Sequence, residues 1–523
     1  MTASLTKSTR RTEWAGLIVF IAVFLGAFMR FNPSLIAGFP VGDGGMFAVM
    51  VEDLKDSHYL LPEFTTYNQT NIPFAYPPLG FYAGRIASDL FGWTAVEALR
   101  WVPALFASLS IPAFYLLASR LLKNRYYASV ATLFFAFMPR ALSWFVLGGG
   151  LTRSPGQFFM LLTLAMVVRL YEGKHPRDVL WAGFFAGLTI MSHPEAALHM
   201  TASVILFWLL LGRSRASLLN LAGVGVVAFF VAAPWWGTVI HNHGIEPLLN
   251  AAQTGQKALA VLNLVSFDFT EEVFATLIAV LGLLGVAYCL MRRNFMLPVW
   301  LAVPFLVEGR SAVLPAAIPL AMLAAIGFVD IVLMALLAGT GKEMEKSDQL
   351  SGVEFGLFVY LLLFLIFSTY QFGLQLAGTT LSLPNRLAMG WVRENTNADS
   401  RFVVLTGTNA ITCDWILEWF PALTDRQSIY TVQGTEWTKG EKFASYAQST
   451  YAVQSCLLNG DVSCLDSAVS RLDYEYVYVS KLLTRDCQTI RFPNAFHLFL
   501  ESMRADPGFQ AAYESEDVII FRK

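Results

Sequence analysis

The chain has 523 residues, of which 55% are hydrophobic and 14% are charged, and its mean hydropathy is +0.53. This composition excludes an ordinary soluble protein, because so much apolar surface requires contact with lipid. The formal net charge is -2, and basic residues cluster in short connections between apolar runs, which excludes a nucleic-acid partner. The sequence therefore predicts an integral membrane protein.

The N-terminal segment carries basic residues ahead of its first apolar run. Lys7, Arg10 and Arg11 precede the run at 14–29, and Arg30 follows it. A secretory signal peptide would end in a small-residue cleavage site, which this segment lacks. We expect an uncleaved first span whose N-terminus lies in the cytosol.

A long loop, residues 32–100, follows the first span. Loops of more than about 15 residues in compact proteins are usually functional or disordered. Apolar spacing at 46–54 predicts a short amphipathic helix within this loop. We expect the loop to be folded and to lie against the outer side of the membrane.

Asp43 lies in this first loop, within the Gly-Asp-Gly-Gly segment at 42–45. A carboxylate at the membrane boundary can accept a proton from a hydroxyl group or hold a cation, and flanking glycines allow close approach. An Asp-Gly turn without chemistry is the structural alternative. Further along the loop, Tyr76 begins the Tyr-Pro-Pro-Leu segment that opens the next helical pattern.

Ten further apolar runs follow, and with the first run they predict about eleven transmembrane helices, since a span needs about 20 apolar residues. These runs are at 101–122, 126–147, 155–170, 179–191, 196–211, 218–240, 273–291, 295–307, 312–337 and 355–374. Basic residues follow every second run, as the preference of Lys and Arg for cytosolic loops predicts. They are Arg120, Lys123, Arg125, Lys174, Arg177, Arg213, Arg215, Arg292, Arg293, Lys342 and Lys346. An odd number of spans then places the C-terminal segment outside the cytosol.

Two of the outside connections place an arginine beside a helix start. Residues 148–155, Gly-Gly-Gly-Leu-Thr-Arg-Ser-Pro, combine glycines, Arg153 and a proline, which suits a phosphate contact or a simple capped turn. Arg310 follows Glu308 ahead of a proline-bearing span. Its guanidinium group could hold a phosphate through two hydrogen bonds or extend along the membrane interface.

His193 and Glu195 interrupt an apolar stretch, and His199 follows one turn later. Ionisable groups within membrane segments usually have a function, so these side chains could bind a cation or a sugar. Their spacing is not a recognised zinc pattern, which leaves the metal unknown and a divalent cation as an open cofactor. Helix capping in a tight turn is the structural alternative.

From about residue 382 the composition becomes that of a soluble protein. Segments at 401–405, 474–480 and 518–521 predict β-strands, with helical patterns between them. We divide the chain into a transmembrane part, 1–380, and an extracytoplasmic α/β domain, 381–523. Four cysteines of this domain permit two disulfides in an oxidising compartment; they are Cys413, Cys456, Cys464 and Cys487.

Tryptophans of this C-terminal domain lie close to acidic residues in the sequence, among them Asp414, Glu418 and Glu436. Carbohydrate-binding sites often pair aromatic rings with carboxylates, but protein cores also use tryptophan. The pattern therefore leaves a sugar site and a packed core as alternatives.

The features of the membrane part resemble the GT-C class of multi-spanning glycosyltransferases, especially protein O-mannosyltransferases and bacterial aminoarabinose transferases. In that class an acidic residue of the first outside loop is the presumed catalytic base, and Asp43 matches its place. Relatives use outside-loop arginines on the phosphate of a polyprenyl donor, a role that the resemblance assigns to Arg153 and Arg310. Tyr76 stands where relatives commonly have histidine, and Gly44 where many have a second acid.

The resemblance implies a polytopic α-helical protein of GT-C type whose outside domain recognises the acceptor. It predicts a membrane glycosyltransferase that moves a sugar from a polyprenyl-phosphate donor to a glycan, lipid or protein acceptor, with inverting attack. Asp43 is the predicted base, and the predicted substrate-binding residues are Tyr76, Arg153, His193, Glu195 and Arg310. The alternative is a transporter or lipid flippase, although such proteins commonly have repeated halves and this sequence shows none.

Overall fold

The computed structural model describes residues 2–173, 176–253, 268–339, 352–460, 462–469, 472–485, 488–491 and 495–523. Among the sequence features above, Lys174, Lys342, Lys346 and Cys487 lie outside the described residues.

The first helix leads into a folded loop. The elements are α1 Thr2–Ala37, α2 Gly45–Asp56, β1 Phe64–Thr65, β2 Ile72–Pro73 and α3 Leu79–Phe91, with β1 and β2 antiparallel. The amphipathic helix predicted at 46–54 is confirmed as α2, whose apolar face is buried. The loop is therefore an ordered platform at one end of the helices.

The remaining helices of the membrane part follow in two groups. The first contains α4 Ala95–Leu122, α5 Arg125–Phe137, α6 Gly150–Gly173, α7 Pro176–Ile190, α8 Pro194–Phe207, α9 Arg215–His243 and α10 Glu246–Gln253. The second contains α11 Leu277–Met291, α12 Met296–Val307, α13 Val313–Ile326, α14 Met334–Gly339 and α15 Gly352–Ala377. Short π-helical turns extend α8 and join α13 to α14.

A helix occurs at each of the eleven predicted apolar runs, but the helices differ in length. Within the described residues, seven are long and apolar enough to cross a membrane, or eight if one bent pair counts as a span. The helices α11 and α12 are apolar but shorter. Large apolar side chains such as Phe20, Leu219 and Phe230 are exposed on the long helices, as expected for surfaces that face lipid.

The third predicted run, 126–147, forms a bent pair of helical segments rather than one continuous helix. The chain bends by 84° between α5 and the short helical turns that follow at 139–145. Met138 is extended and Pro139 follows it, because a residue before proline disfavours the helical conformation and proline cannot donate a helical hydrogen bond. The bend carries the chain to the glycine-rich start of α6.

Small residues allow the inner helices to pack closely. A Cβ atom on Gly285 of α11 would collide with the backbone of Leu323 in α13, and one on Gly327 would collide with the backbone of Leu281. Close backbone approach of this kind increases van der Waals contact between helices that are otherwise surrounded by lipid. The α13 segment is consequently almost fully buried.

The C-terminal part begins with α16 Leu383–Asn395 and is a mixed α/β domain. Its strands are β3 Arg401–Leu405, β4 Gln427–Ser428, β5 Tyr476–Ser480, β6 Leu482–Arg485, β7 Gln488–Arg491, β8 Gln510–Glu514 and β9 Val518–Arg522. Its further helices are α17 Trp415–Thr424, α18 Glu436–Lys439, α19 Phe443–Asn459, α20 Val462–Val469 and α21 Ala495–Ala505. The predicted α/β class is confirmed.

The central sheet has the strand order β4-β3-β5-β9-β8. Strand β3 pairs in parallel with β4 and β5, whereas β5, β9 and β8 pair antiparallel. The strands predicted at 401–405, 474–480 and 518–521 correspond to β3, β5 and β9. Cys456 and Cys464 form a disulfide, and Cys413 is also disulfide-bonded.

The C-terminal domain packs directly on the first loop. Helix α17 lies against α2, and the Asn68 side chain exchanges two hydrogen bonds with the backbone of Ser428. The indole N–H of Trp419 donates to the carbonyl oxygen of Gly42 at 2.9 Å. The segment that carries Asp43 is therefore held between the helices and the C-terminal domain.

Candidate functional site

Asp43 lies in a tight turn after α1. Its neighbours Gly42 and Gly44 have φ angles of 65° and 126°, which glycine adopts without the steric penalty that other residues incur. The turn directs the Asp43 carboxylate towards the start of α6. An Asp-Gly turn without chemistry, the structural alternative, does not account for these contacts, because the acid reaches another element of the protein.

The carboxylate of Asp43 has two partners, Gly149 directly before α6 and Arg153 within α6. Its Oδ1 accepts a hydrogen bond from Gly149 N at 2.8 Å, and its Oδ2 lies 3.2 Å from a guanidinium nitrogen of Arg153. A Cβ atom on Gly148 or Gly149 would collide with Asp43. The glycine-rich segment, which in the sequence suggested a phosphate contact, therefore allows Asp43 to approach the backbone before α6.

Arg153 is held from a second side as well. Its guanidinium carbon lies 5.3 Å from the centre of the Trp144 ring, an arrangement that stabilises the cation over an aromatic face. The side chains of Arg153 and Asp43 are 22% and 16% exposed. Because water is largely excluded, the charge of each group acts strongly on its neighbour.

Tyr76 lies at the junction of the loop, the helices and the C-terminal domain. Its ring centre is 5.1 Å from that of Phe47, 5.8 Å from that of Trp437 and 6.3 Å from that of His193. Burial raises the pKa of the Tyr76 hydroxyl to about 12, so it is a neutral phenol at physiological pH. It can donate or accept a hydrogen bond there but cannot serve as a base.

His193 and Glu195 lie at the start of α8. His193 is the N-cap residue, but its side chain makes no capping hydrogen bond, which disfavours the capping alternative. Burial lowers the pKa of His193 to about 4, so its imidazole is neutral near pH 7. Glu195 forms an ion pair with Arg310 at 3.4 Å, in which the Arg310 side chain is 54% exposed.

Glu308 organises the segment that carries Arg310. Its carboxylate accepts hydrogen bonds from the backbone N–H groups of Arg310 at 2.8 Å and Ser311 at 2.9 Å. Burial alone would raise the pKa of Glu308, but the nearby His199, these bonds and one from the Ser311 hydroxyl at 2.7 Å outweigh it and lower the pKa to about 2. Glu308 is therefore an anion that fixes the position of the loop before α13.

These elements enclose a cavity within the helices. Arg153, His193, Glu195 and His199 line it, with Gln157 and Ser311. Asp43, Tyr76 and Arg310 are not part of this lining. Gln157 is 2% exposed, yet neither its amide oxygen nor its amide nitrogen has a hydrogen-bond partner. The Nδ1 atom of the buried His199 is also without a partner. Because unpaired buried polar atoms are costly, this cavity is suited to a polar ligand that satisfies them.

The C-terminal domain contributes two buried acids to the same region, and sequence reasoning assigned them no specific role. Glu418 of α17 accepts a hydrogen bond from Gly44 N at 2.9 Å. Burial, reinforced by the nearby Asp43, raises the pKa of Glu418 to about 8. Burial also raises the pKa of Glu436. The acid-and-tryptophan pattern was the available signal, but it did not reveal which acid faces Asp43.

The described residues contain no group of three or more His, Cys, Asp or Glu side chains arranged to hold a metal ion. His193 and Glu195 are close to two arginines, Arg153 and Arg310, whose charges influence His193. Cations next to a site oppose the binding of another cation. The predicted cation role of His193 and Glu195 therefore gains no support from their surroundings.

Comparison with known proteins shows what the chain is similar to. Residues 75–237 match the family model described as dolichyl-phosphate-mannose-protein mannosyltransferase. No curated protein matches the chain. The fold is similar to that of the oligosaccharyltransferase AglB from Archaeoglobus fulgidus, solved with an inhibitory peptide and a dolichol-phosphate, at 15% identity and a TM-score of 0.58, covering 90% of this chain and 70% of that one.

Two bacterial structures are similar over nearly the whole chain. ArnT from Cupriavidus metallidurans bound to undecaprenyl phosphate has 13% identity and a TM-score of 0.53, with 98% of each chain covered. The arabinofuranosyltransferase AftD from Mycobacteria has 14% identity and a TM-score of 0.59, covering 98% of this chain and 40% of that one. The chain has the fold of the GT-C membrane glycosyltransferases.

The region that the family model matches and the cavity overlap in part. The matched residues include Tyr76, Arg153, His193 and Glu195, whereas Asp43 lies before the matched region. Arg310 and the whole C-terminal domain lie after it. The structure nevertheless brings all six predicted residues to one region, where Asp43 pairs with Arg153 and Glu195 pairs with Arg310.

Proposed function

We propose that this protein transfers a sugar from a polyprenyl-phosphate donor to an acceptor hydroxyl group, with Asp43 as the general base. The observation that carries the proposal is the Asp43–Arg153 pair, whose arginine lines a cavity together with His193, Glu195 and His199 in an otherwise apolar helix bundle. AglB and ArnT, which share the fold, were solved with dolichol-phosphate and undecaprenyl phosphate. A lipid-linked phosphate therefore suits the chemistry of this cavity.

The proposed reaction is a single displacement. The acceptor oxygen attacks the anomeric carbon while the bond from that carbon to the phosphate oxygen breaks, which gives an inverted glycoside and a polyprenyl phosphate. Asp43 takes the acceptor proton as attack proceeds. Arg153 and Arg310 would stabilise the negative charge that develops on the leaving phosphate.

The cavity provides further donor contacts in this scheme. Gln157 and His199 have unpaired polar atoms that a phosphate or sugar hydroxyl group could satisfy. The neutral His193 and Tyr76 can each hydrogen-bond to a sugar without adding charge. The alternation of basic residues along the sequence supports a site on the non-cytosolic side, with the acceptor delivered from the C-terminal domain.

Substitution of Asp43 by Asn tests the proposed base. We expect Asp43→Asn to retain membrane insertion and to lose transfer by about a hundredfold or more, because removal of a general base typically costs two to four orders of magnitude. The measurement is transfer of radiolabel from purified polyprenyl-phosphate sugars to candidate acceptors. Asp56→Asn, an exposed position at the end of α2, is the matched control. Full activity of Asp43→Asn would remove the central role of this acid.

A transport assay separates this proposal from the alternative. Reconstituted vesicles that contain the wild-type protein are supplied with the same labelled lipid on one side. Movement of the intact lipid without any glycosyl transfer would support a flippase and contradict the proposed enzyme.

A further inference from the structure

We propose that Glu418 and Trp419 of the C-terminal domain are positioning residues for Asp43, so that the active centre is complete only when this domain is docked. The inference deepens the proposed function and rests on it for the role of Asp43. It concerns residues that contact the backbone on both sides of the acid rather than the substrate.

Two consecutive residues of α17 hold the turn from both sides of Asp43. The indole N–H of Trp419 donates to the Gly42 carbonyl oxygen at 2.9 Å, and Oε1 of Glu418 accepts from Gly44 N at 2.9 Å. All of these contacts join residues more than 370 positions apart in the chain. The backbone before and after Asp43 is therefore fixed by one turn of one helix.

The surrounding packing leaves little freedom for the turn. A Cβ atom on Gly45 would collide with the backbone oxygen of Glu418. The Tyr67 hydroxyl donates to that same oxygen at 2.7 Å. Trp419 is fully buried, and its ring packs edge-on against Phe39 at 4.8 Å. These contacts are buried and packed against one another, as is needed to hold a functional side chain in position.

The charge state of Glu418 follows from the groups that surround it. The ionisable groups that interact with it include Asp43, Arg153 and Tyr67. Arg153 is already paired with Asp43, so an ionised Glu418 would add an uncompensated negative charge. Burial and the nearby Asp43 raise the pKa of Glu418 to about 8, which keeps the group neutral at pH 7.

Hydrogen exchange tests the positioning role without any substrate. In the full-length protein, Glu418→Ala removes the acceptor for Gly44 N, and we expect amide exchange in the 42–47 segment to become about tenfold faster, as expected for one lost hydrogen bond. Glu418→Gln keeps an oxygen acceptor and should retain protection. Asp414→Asn, a buried acid that caps the same helix, is the matched control. Unchanged exchange in Glu418→Ala would overturn the proposal.

A second variant separates positioning from general loss of folding. Trp419→Phe keeps the ring packing but removes the N–H donor to Gly42, so we expect faster exchange in the turn and unchanged exchange in the central sheet. Equal acceleration in the turn and in the sheet would show that the domain had merely lost stability, which would contradict a specific positioning role.

Kinetics against pH test the charge state. The donor is an anion, so ionisation of Glu418 should weaken its binding, and the wild-type KM for a polyprenyl-phosphate sugar should rise as pH passes about 8. Glu418→Gln should show no such rise, while Asp414→Asn should follow the wild type. A rise that persists in Glu418→Gln would exclude Glu418 as its source. If the wild type shows no transfer at all, the proposed function fails, and the exchange measurement still decides the positioning role.

Discussion

Asp43 forms an ion pair with Arg153 and Glu195 forms one with Arg310, and the two pairs differ in their exposure to water. The Arg153 side chain is 22% exposed and is held over Trp144, whereas that of Arg310 is 54% exposed. Exposed ion pairs contribute little free energy because water screens them. An incoming phosphate can therefore displace Glu195 from Arg310 at a lower energetic cost than it can displace Asp43 from Arg153.

Burial of the neutral His193 imidazole should make the protein less stable in acid. Its pKa is lowered by burial to about 4 in the folded state, against 6.5 when exposed. As pH falls from about 6.5 to 4, the unfolded state binds a proton that the folded state excludes, so stability falls by up to about 3 kcal/mol. We expect the thermal midpoint in detergent to fall over this range and to fall less in His193→Gln.

The control for this prediction is His241→Gln, because His241 is exposed at the end of α9. Its midpoint should follow the wild type across the whole range. If His193→Gln shows the same acid slope as the wild type, protonation of other groups accounts for the loss of stability.

The bend after α5 and the glycines before α6 together create the space that Asp43 occupies. Pro139 ends the helical hydrogen bonding of the predicted third span, and the chain then reaches Gly148 and Gly149 after two short helical turns. Side chains at these glycines would occupy the space of the acid. The apolar run at 126–147 is thus interrupted shortly before the two glycines whose backbone lies close to Asp43.

Gly149→Ala tests this arrangement. The new methyl group would collide with the Asp43 carboxylate rather than with backbone, so we expect normal folding but a displaced acid. Overpacking of about 1–3 kcal/mol corresponds to a loss of about ten- to a hundredfold in transfer rate. The assay is the radiolabel transfer described above, with thermal stability measured in parallel.

Gly225→Ala in α9 is the matched control, because a Cβ atom there meets nothing within 4 Å. It should retain activity. Wild-type transfer by Gly149→Ala would mean that the Gly149 contact does not position Asp43 for the reaction.

At the scale of the whole molecule, the C-terminal domain and the first loop form one unit at one end of the helices. The apolar face of α2 is buried in a cluster that also contains residues of α17 and the central sheet. The basic residues that should face the cytosol lie in other connections, such as Lys123 between α4 and α5. This arrangement predicts that the site and the C-terminal domain share the non-cytosolic side.

Cysteine labelling tests the sidedness. Ser449 in α19 and Asn124 between α4 and α5 are both exposed. A membrane-impermeant maleimide should label Ser449→Cys in intact cells and Asn124→Cys only after the membrane is opened. The native Cys289 is buried and gives little background. The reverse labelling pattern would place the site in the cytosol and contradict the use of an externally presented donor.

The local features of this protein could be predicted from its amino-acid sequence. Hydropathy located a helix at each apolar run, and short apolar runs rich in β-branched and aromatic residues located three strands of the central sheet, because such residues favour buried strands. The class resemblance singled out Asp43, Arg153 and Arg310 from their positions in outside loops. Such signals lie within a few residues of one another, so they can be read along the chain.

Which of these residues contact one another depends on the packing of distant segments. The pairing of Asp43 with Arg153 joins residues 110 positions apart, and the contact of Gly44 with Glu418 joins residues 374 positions apart. The break at Pro139 was visible as a residue, but the direction of the chain after it depends on packing. Contacts between distant segments result from how whole helices and a docked domain fill space, which no local pattern of apolar and polar residues specifies.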